Sequence, residues 1–474
     1  KGDMAKRIEF ISQAGTELLG AEAVVPPGRS QERYLVDWRK RYYAEESCVV
    51  LPKNSDEVAR LLTFAYQNNI PVTPQGGNTG LCGGSIPKDK NSIILSLERL
   101  NRVRAFSKYD ATLTVEAGMT LNAVQENASH HGYYFPLSLA SENLCQVGGL
   151  IACNAGGVHV VRYGPMRSLV VGLEVVLADG RIISHLESLY KNTAGMDCKQ
   201  VWIGSEGTLG VITAATLKLF APLPYKLTFL VGCADPEAAL TLLFLLRQKY
   251  GEALSAFEYM NKTIVTWANK LQKQNFTLPH QAWVLVELSF NDEKSASLDT
   301  LSDFLQQERF EDAIIALNQE QRQQLWRLRE GLSEAQRHYW GITIKHDIGV
   351  PIHALPAFIH AAEKALQASF DDVHTLLFGH FGDGSLHYDV ALDRAKDEKV
   401  YNFEGPINGI VYKVVADFKG TVAAEHGVGQ LKTKWLPWAR SEAEIALMRQ
   451  IKKNLDPKGI MNPGKVLPEE KRER

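Results

Sequence analysis

The sequence predicts an α+β protein made of more than one domain. Its 474 residues are enough for two or three domains of ordinary size, and a hydrophobic fraction of 45% is enough for a full core. Short strand and helix patterns alternate up to about residue 220, and longer helices alternate with strands beyond it. We therefore expect one domain over residues 1–220, a second over residues 221–415, and a C-terminal segment over residues 416–474.

Elements of the first domain are indicated by apolar runs and by capping residues. A helix over residues 55–67 has Asn54 or Ser55 as its N-cap. Asp179-Gly180 is a favoured two-residue turn, so the apolar runs beside it predict a β-hairpin over residues 170–184. The same patterns predict strands over residues 48–52, 70–73, 92–97 and 112–117, and a helix over residues 121–131.

Longer helices are predicted in the second domain and in the C-terminal segment. A final helix over residues 441–454 opens with Ser441 and Glu444, the pair that forms a capping box. Apolar periodicity predicts further helices over residues 236–249, 298–307 and 319–338, and strands over residues 282–290 and 375–378.

The overall charge excludes two classes of partner. There are 52 basic and 54 acidic residues, and a net charge of −2 leaves no electrostatic footprint for nucleic acid or an anionic membrane. The longest apolar run, residues 238–246, is far shorter than the roughly 20 residues that cross a bilayer. No secretory signal is expected at the N-terminus. The six cysteines form no CxxC pair, which indicates reduced thiols and a cytoplasmic location.

Glycine-rich loops are the first candidate binding feature. Glycine lets the backbone approach a ligand closely, and successive backbone N–H groups can form a concave nest for an anion. Several such loops beside strands favour a ligand with a long phosphate-bearing backbone, whereas any one of them is also typical of an ordinary turn. Asn78 and Thr79 would add side-chain donors. The candidates are Pro74, Gly76, Gly77, Asn78, Thr79, Gly80, Gly148, Gly149, Asn154, Gly156, Gly157, Tyr163, Gly164, Glu206 and Gly207.

Two standard nucleotide motifs do not apply to this sequence. The dinucleotide fingerprint GxGxxG is absent. Residues 459–465 fit GxxxxGK, but Val466 replaces the hydroxyl residue that would hold magnesium, and a helix rather than a strand precedes the match. We therefore reject a P-loop.

Two histidine motifs are the second candidate feature. His380 and His387 flank a Gly-Asp-Gly turn, and a strand, a tight turn and a return strand would aim both imidazoles at one point. Two imidazoles and a carboxylate are a typical ligand set for zinc or a similar divalent ion, with Glu425 the natural carboxylate and Asp383 a weaker candidate. The alternative is that both histidines are hydrogen-bonded at a turn. His426 directly follows Glu425, and a neutral imidazole there could act as a base.

Two basic side chains precede the histidine motifs. Arg329 suits bidentate recognition of a carboxylate, and Lys345 adds a second positive charge. The alternative for Arg329 is a solvated helix face, because residues 321–337 carry many charges.

Together, these motifs resemble the FAD-binding oxidoreductases of the vanillyl-alcohol oxidase type. The resemblance covers nearly the whole chain, from about Tyr34 to Leu467. Within the family, the chain is most similar to members that oxidise D-2-hydroxyglutarate, followed by those that oxidise D-lactate. The resemblance is carried by residues 74–80, 148–157, 204–210, 379–387, 425–427 and 462–465.

The resemblance implies what each domain does. The first domain would be an FAD-binding domain of two α+β subdomains, the second an α+β substrate or cap domain, and the helical C-terminal segment would return to the flavin. Residues 76–80 and 148–157 would hold the FAD pyrophosphate and its surroundings. Residues 204–212, which include Val211 and Ile212, would line the adenine-ribose or flavin side. Asn462 would lie near the flavin ring.

The resemblance also implies a metal and substrate site. His380, His387 and Glu425 would be the ligands of a divalent metal, expected to be zinc, and His426 would be the catalytic base. Arg329, Ser333, Lys345 and Asp389 would lie at the substrate.

Three departures from the family pattern concern the substrate. Asp389 stands where asparagine is usual, and Ser333 stands where threonine is usual. The segment from Arg329 to Lys345 is one residue longer. A carboxylate at position 389 would repel an anionic substrate unless it binds the metal or is itself paired. No histidine lies in residues 75–84, so FAD is expected to be held non-covalently.

The resulting hypothesis is an FAD-dependent dehydrogenase of D-2-hydroxy acids. A metal lowers the pKa of the α-hydroxyl, His426 takes its proton, and a hydride passes to flavin N5 to give the 2-oxo acid. D-2-hydroxyglutarate is the expected substrate, with D-lactate, glycolate and D-malate as alternatives. An electron-transfer flavoprotein, a quinone or oxygen would accept the electrons, and a homodimer is one expected form. From other classes, a zinc hydrolase and a flavin-binding protein without catalysis stay open.

Overall fold

The computed structural model describes residues 2–470 and divides them into two compact units. The first unit contains residues up to 156, residues 165–221, and the chain from residue 425 onward. The second contains residues 157–164 and 222–424. The C-terminal stretch of the first unit thus begins nine residues after the predicted position 416, and Gly157, Tyr163 and Gly164 belong to the second unit.

The α+β class is confirmed. Among residues 2–470, no helix is both long and apolar enough to cross a membrane. The strands are β1 Cys48–Val50, β2 Val72–Gln75, β3 Ile93–Ser96, β4 Val103–Ser107, β5 Thr112–Glu116, β6 Val170–Val176, β7 Ile182–His185, β8 Val211–Lys218, β9 Tyr225–Cys233, β10 Leu254–Asn261, β11 Ala282–Phe290, β12 Ala313–Ile315, β13 Asp347–Gly349, β14 Val373–His380 and β15 Ser385–Leu392.

Helices connect and cover these strands. They are α1 Gly2–Leu19, α2 Arg29–Leu35, α3 Ser55–Gln67, α4 Leu121–His130, α5 Val147–Ala152, α6 Val160–Tyr163, α7 Met166–Leu169, α8 Lys199–Trp202, α9 Pro236–Tyr250, α10 Lys262–Leu271, α11 Leu298–Gln307, α12 Gln319–Glu330, α13 Leu332–Trp340, α14 Leu355–Gln367, α15 Glu404–Asp417 and α16 Glu442–Leu455.

The first unit contains two sheets in the described chain. One is parallel, in the order β1-β3-β2, and the other is antiparallel, in the order β4-β5-β8-β6-β7. Local chemistry begins the helices where the sequence predicts. The Asn54 side chain accepts a hydrogen bond from the N–H of Glu57 at the start of α3, and Ser441 and Glu444 form the capping box of α16.

The C-terminal stretch joins the parallel sheet. The N–H of Val72 donates to the carbonyl of Ile460 at 2.8 Å, and the N–H of Asn462 donates to the carbonyl of Val72 at 2.7 Å. This short parallel bridge runs beside β2, the strand that leads into the first glycine-rich loop. The last residues are therefore part of the unit that carries most of the glycine-rich loops.

One seven-stranded sheet organises the second unit, in the order β12-β9-β11-β10-β14-β15-β13. Helices α10, α12 and α13 pack on one face of it through a cluster that includes Met260, Leu285, Leu328 and Phe378. The predicted single helix over residues 319–338 is wrong, because the chain breaks at Gly331 into α12 and α13. A β-carbon at Gly331 would lie 2.0 Å from Gln272 Nε2, so the glycine lets this side-chain amide approach the break closely.

Candidate functional site

The loop after β2 has the properties of an anion-binding nest. Within residues 2–470, the backbone N–H groups of residues 76–81 donate no hydrogen bond to the protein. Asn78 adopts a left-handed conformation with φ of 55°, and the loop is half-buried except at Gly80, which is exposed. Consecutive N–H groups without a protein acceptor are the donors that a phosphate requires. The residues present therefore fit the pyrophosphate of a dinucleotide cofactor.

Glycine is required by packing in this loop and in the one beside it. A β-carbon on Gly77 would lie 2.0 Å from the carbonyl oxygen of Leu144, and one on Gly148 would lie 2.9 Å from the β-carbon of Ala117. A β-carbon on Gly76 would lie 3.6 Å from the backbone of Gly149. The structure thus brings together the two loops that the sequence assigned to one ligand.

The side chain of Asn78 holds the loop rather than a ligand. Its Nδ2 donates to the carbonyls of Arg33 at 3.1 Å and Val36 at 2.7 Å, and its Oδ1 accepts from Ser85 Oγ at 2.7 Å. The expectation that Asn78 offers a side-chain donor is therefore wrong, because both amide hydrogens are already used. Its contribution to a bound phosphate would come from its backbone.

Other predicted cofactor residues also have structural partners. Asn154 Oδ1 accepts from the N–H of Arg167 at 2.9 Å. The N–H of Glu206 donates to the carbonyl of Ala152 at 2.8 Å, which fixes the loop over residues 204–210 against the end of α5. Val211 and Ile212 are buried in β8, where they pair with β6.

Glu206 anchors the segment that follows His426. Its carboxylate accepts from the N–H groups of Val428 at 3.1 Å and Gly429 at 2.8 Å. Burial raises the pKa of this carboxyl, and the two N–H groups oppose that rise by stabilising the anion. The loop over residues 204–210 therefore fixes the backbone immediately downstream of the candidate base.

Asn462 is the centre of a second hydrogen-bond network in the first unit. Its Nδ2 donates to the carbonyls of Gly84 and Glu206, each at 2.9 Å. Its Oδ1 accepts from Thr73 Oγ1 at 3.1 Å and from Lys465 Nζ at 2.8 Å. Burial lowers the pKa of Lys465 to about 7. The closing Asn462-Pro463-Gly464-Lys465 motif thus joins β2 to two of the glycine-rich loops.

The second unit builds its site on the sheet face that packs against α12 and α13. The predicted strand, turn and return strand are confirmed as β14, a short 3-10 turn over Phe381–Asp383, and β15. Pairing across the sheet places a row of polar side chains on this one face. The candidate site is the part of this row formed by Glu258, His380, His387 and Asp347. Thr228 and Glu287 continue the row beyond the site, on β9 and β11.

His380, Glu258 and Arg329 form a buried cluster. Glu258 Oε2 lies 2.6 Å from His380 Nδ1, and Glu258 Oε1 accepts from Arg329 Nε at 2.9 Å. Glu258 is fully buried, and His380 is 6% exposed. Burial opposes ionisation of Glu258, but the charges and hydrogen bonds of His380 and Arg329 lower its pKa to about 2. The solvated-face alternative for Arg329 is therefore wrong.

His387 lies beside both His380 and Asp347. The two imidazole centroids are 6.5 Å apart, with an angle of 72° between the rings. Asp347 pairs with His387 across β13 and β15, and their ligand atoms lie within 4.8 Å of each other. Two imidazoles with an adjacent carboxylate are a donor set that suits a divalent metal such as zinc.

Asp389 lies on the same strand and is paired. Its Oδ2 accepts from Gln336 Nε2 at 2.9 Å, and Gln336 also donates to Thr343 Oγ1 at 2.7 Å. Asp389 is only 3% exposed. Ser333 at the start of α13 and Lys345 before β13 are exposed, so both can meet a ligand from solvent.

The sequence reading missed Glu258, Asp347 and Gln336. Glu258 is a polar residue in a largely apolar strand, and that pattern was an available signal for it. Gln336 lies in a helix rich in polar residues, where no such signal exists. Glu425 and His426 open the last stretch of the first unit, where both are half-buried.

Comparison with known families matches both halves of the chain. Residues 47–185 match the family described as FAD binding domain. Residues 224–466 match the family described as FAD linked oxidases, C-terminal domain. The chain therefore belongs to the FAD-linked oxidases and is an FAD-dependent oxidoreductase.

Curated relatives span nearly the whole chain. The D-2-hydroxyglutarate dehydrogenase of Xanthomonas citri pv. viticola is 36% identical over 440 residues, covering 92% of each chain. The mitochondrial D-2-hydroxyglutarate dehydrogenase of Bos taurus is 36% identical, covering 98% of this chain and 85% of its own. Among solved structures, p-cresol methylhydroxylase with substrate bound has a TM-score of 0.78 at 14% identity, covering 98% of this chain and 97% of its own. This likeness confirms the vanillyl-alcohol oxidase type of fold.

Replacing Gly77 by alanine should weaken FAD binding. The new β-carbon would meet the Leu144 carbonyl at 2.0 Å, and moving the loop aside costs about 1–3 kcal/mol. If this cost destabilises the FAD-bound protein more than the apoprotein, the affinity for FAD falls by about 5- to 150-fold. The measurement is a fluorescence titration of apoprotein with FAD. Gly405→Ala is the control, because a β-carbon there meets nothing within 4 Å; equal affinities in both variants would contradict the prediction.

Proposed function

We propose that this protein is an FAD-dependent dehydrogenase that oxidises D-2-hydroxyglutarate to the corresponding 2-oxo acid. The observation that carries the proposal is the candidate site within the polar row of the second unit. There, His387 lies beside Asp347, and the carboxylate of Glu258 joins His380 to Arg329. A metal-binding imidazole and a carboxylate-binding guanidinium side by side suit a 2-hydroxy acid. Relatives of matching length carry the same activity in their names.

Residues of the first unit would hold the cofactor. The N–H groups of residues 76–81 would bind its pyrophosphate, and Asn462 would lie near the flavin ring. When bound, FAD supplies a two-electron acceptor for the hydrogen on the substrate's α-carbon. No histidine lies in the loop over residues 75–84, which supports non-covalent binding.

His380, His387 and Glu425 would hold the divalent metal, and Asp347 is an additional candidate ligand. A bound divalent ion such as zinc lowers the pKa of a coordinated hydroxyl. His426 would take the hydroxyl proton, and the Glu206 carboxylate keeps the backbone after His426 in place. Once the hydroxyl has lost its proton, the negative charge on its oxygen would help the α-hydrogen to leave as a hydride.

Arg329, Ser333 and Lys345 would bind the carboxylates of the substrate. Glu258 engages the Nε of Arg329, and the two terminal nitrogens make no hydrogen bond within residues 2–470. These two nitrogens are the pair that a carboxylate binds in bidentate fashion. The hydrogen bond from Gln336 reduces the repulsion that Asp389 would exert on an anionic substrate.

Anaerobic bleaching of the flavin tests the proposal. The purified protein should show flavin absorption near roughly 370 and 450 nm, and D-2-hydroxyglutarate should bleach it faster than D-lactate, D-malate or glycolate. The L-enantiomer is the matched control, and incubation with a chelator should slow the reaction. Absence of flavin absorption would favour the zinc-hydrolase alternative. A stable flavin that no hydroxy acid reduces would favour a flavin-binding protein without catalysis.

The electron acceptor, assembly and location are further parts of the proposal. An electron-transfer flavoprotein or a quinone would reoxidise the flavin, and the working form would be a homodimer. No cysteine forms a disulfide in the described residues, which supports a reducing compartment such as the cytoplasm. Relatives from Bos taurus and Oryza sativa are named mitochondrial, so cell fractionation should compare both locations.

A further inference from the structure

Glu258 is a buried carboxylate that interacts with two functional side chains at once. It lies on β10, opposite His380 on β14, and its two oxygens are divided between His380 Nδ1 and Arg329 Nε. It is fully buried, so neither contact is shared with solvent. A buried carboxylate is stable only when its partners supply hydrogen bonds and positive charge, and these two residues supply both.

The contact with His380 determines where the imidazole carries its proton. An ionised carboxylate can only accept, so Nδ1 must be the protonated nitrogen at 2.6 Å from Glu258 Oε2. When the imidazole is neutral, Nε2 then keeps its lone pair, which is the state a metal ligand requires. Carboxylates behind ligating histidines fix the ring orientation, and their loss typically costs about 10- to 100-fold in metal affinity.

The contact between Glu258 and Arg329 fixes the plane of the guanidinium group. Nε donates to Glu258 Oε1 at 2.9 Å, while the guanidinium carbon lies 5.1 Å from the ring centroid of Phe378. One hydrogen bond and one stacking contact hold the planar group from two directions. The two terminal nitrogens of Arg329 therefore have a defined direction before any ligand arrives.

We propose that Glu258 is a positioning residue that sets the metal-ligating tautomer of His380 and the orientation of Arg329 together. The inference rests on the proposed function for the roles of those two partners. Glutamine cannot replace Glu258, because a carboxamide has one oxygen to offer and would turn its NH₂ group toward one of the two N–H donors.

The test compares Glu258→Gln with Glu287→Gln in the FAD-loaded protein. Glu287 is a buried glutamate on the same sheet face, bonded to Thr228 and to Trp326 rather than to His380 or Arg329. After chelation and dialysis, zinc affinity is measured by competition with a chromophoric chelator, and KM and kcat are measured after reloading. We expect Glu258→Gln to weaken zinc binding by about 10- to 100-fold and to raise KM at least as much as it lowers kcat. FAD content should not change, and Glu287→Gln should stay within about threefold of wild type.

Zinc affinity and KM that both stay within threefold of wild type in Glu258→Gln would overturn the proposal. A second measurement tests the tautomer of His380 in the wild type, so it does not depend on whether Glu258→Gln folds. Long-range ¹⁵N–¹H spectra of the histidine-labelled, metal-free wild type should show His380 with its proton on Nδ1, assigned by comparison with His380→Gln. A proton on Nε2 would overturn the proposal. Neither zinc affinity nor the tautomer involves a substrate, so they remain informative if flavin bleaching fails.

Discussion

Replacing His380 or His387 by alanine is expected to lower kcat by about 10³-fold or more, while the protein stays yellow. Each change removes an imidazole from the pair on β14 and β15 and would take a ligand from the metal. Lewis-acid stabilisation is worth several kcal/mol, and each 1.36 kcal/mol is tenfold in rate. FAD should be retained, because the loop over residues 76–81 belongs to the other unit. Steady-state kinetics, metal analysis and flavin absorbance together check the expectation.

His374→Ala is the matched control for these variants. His374 is on the same strand, but its Nε2 lies 2.9 Å from Asp393 at the surface. It should keep its metal and nearly all of its activity. Normal turnover in His380→Ala and His387→Ala would remove the metal from the proposal. Loss of flavin from either variant would instead show that the second unit contributes to FAD binding.

Local sequence signals were sufficient for most of the helices and strands. Asn54 and the Ser441–Glu444 pair begin their helices as predicted, because a cap depends only on residues three positions away. The hairpin that carries His380 and His387 was likewise predicted, because the turn and both strands are contiguous in the chain.

The parts of the candidate site that were not predicted from the sequence depend on contacts between residues far apart in the chain. Glu258 precedes His380 by 122 residues, and the two meet only because β10 and β14 are neighbours in the sheet. Asp347 meets His387 through a pairing of β13 with β15. No periodicity within one segment encodes such a pairing. The same reason explains why the sequence offered Arg329 as a substrate contact without revealing the carboxylate that holds it.

Gly331 is a place where the sequence pattern predicts more regular structure than the chain has. The apolar periodicity continues through residues 319–338, so the sequence predicts one helix. At the break, Gln272 Nε2 donates to the carbonyl of Arg327 in the last turn of α12, a contact between distant segments that apolar periodicity does not report. The break matters for the candidate site, because Arg329 lies in the last turn of α12 and Gln336 lies on α13. The break lets these two side chains reach Glu258 and Asp389 separately.

Replacing His426 by glutamine is expected to slow flavin reduction by about 10²- to 10⁴-fold, because the hydroxyl proton would lose its proposed acceptor. Metal and FAD content should be unchanged, since the substitution leaves the surrounding backbone intact. Glu206 holds the N–H groups of Val428 and Gly429, and the N–H of Gln430 donates to the carbonyl of Cys82 at 2.9 Å. The segment is therefore fixed independently of the imidazole. Anaerobic stopped-flow reduction by D-2-hydroxyglutarate is the measurement.

His185→Gln is the control for this variant. His185 is an exposed histidine at the end of β7, where Nδ1 lies 3.3 Å from Glu187, and its loss should leave flavin reduction unchanged. A Glu206→Gln variant separates the role of the His426 imidazole from the role of its position. It keeps the imidazole but weakens the hydrogen bonds that hold the backbone after His426. We expect it to slow flavin reduction less than His426→Gln does. If His426→Gln reduces the flavin at the wild-type rate, the base is another residue, and the Glu206 anchor then has only a structural role.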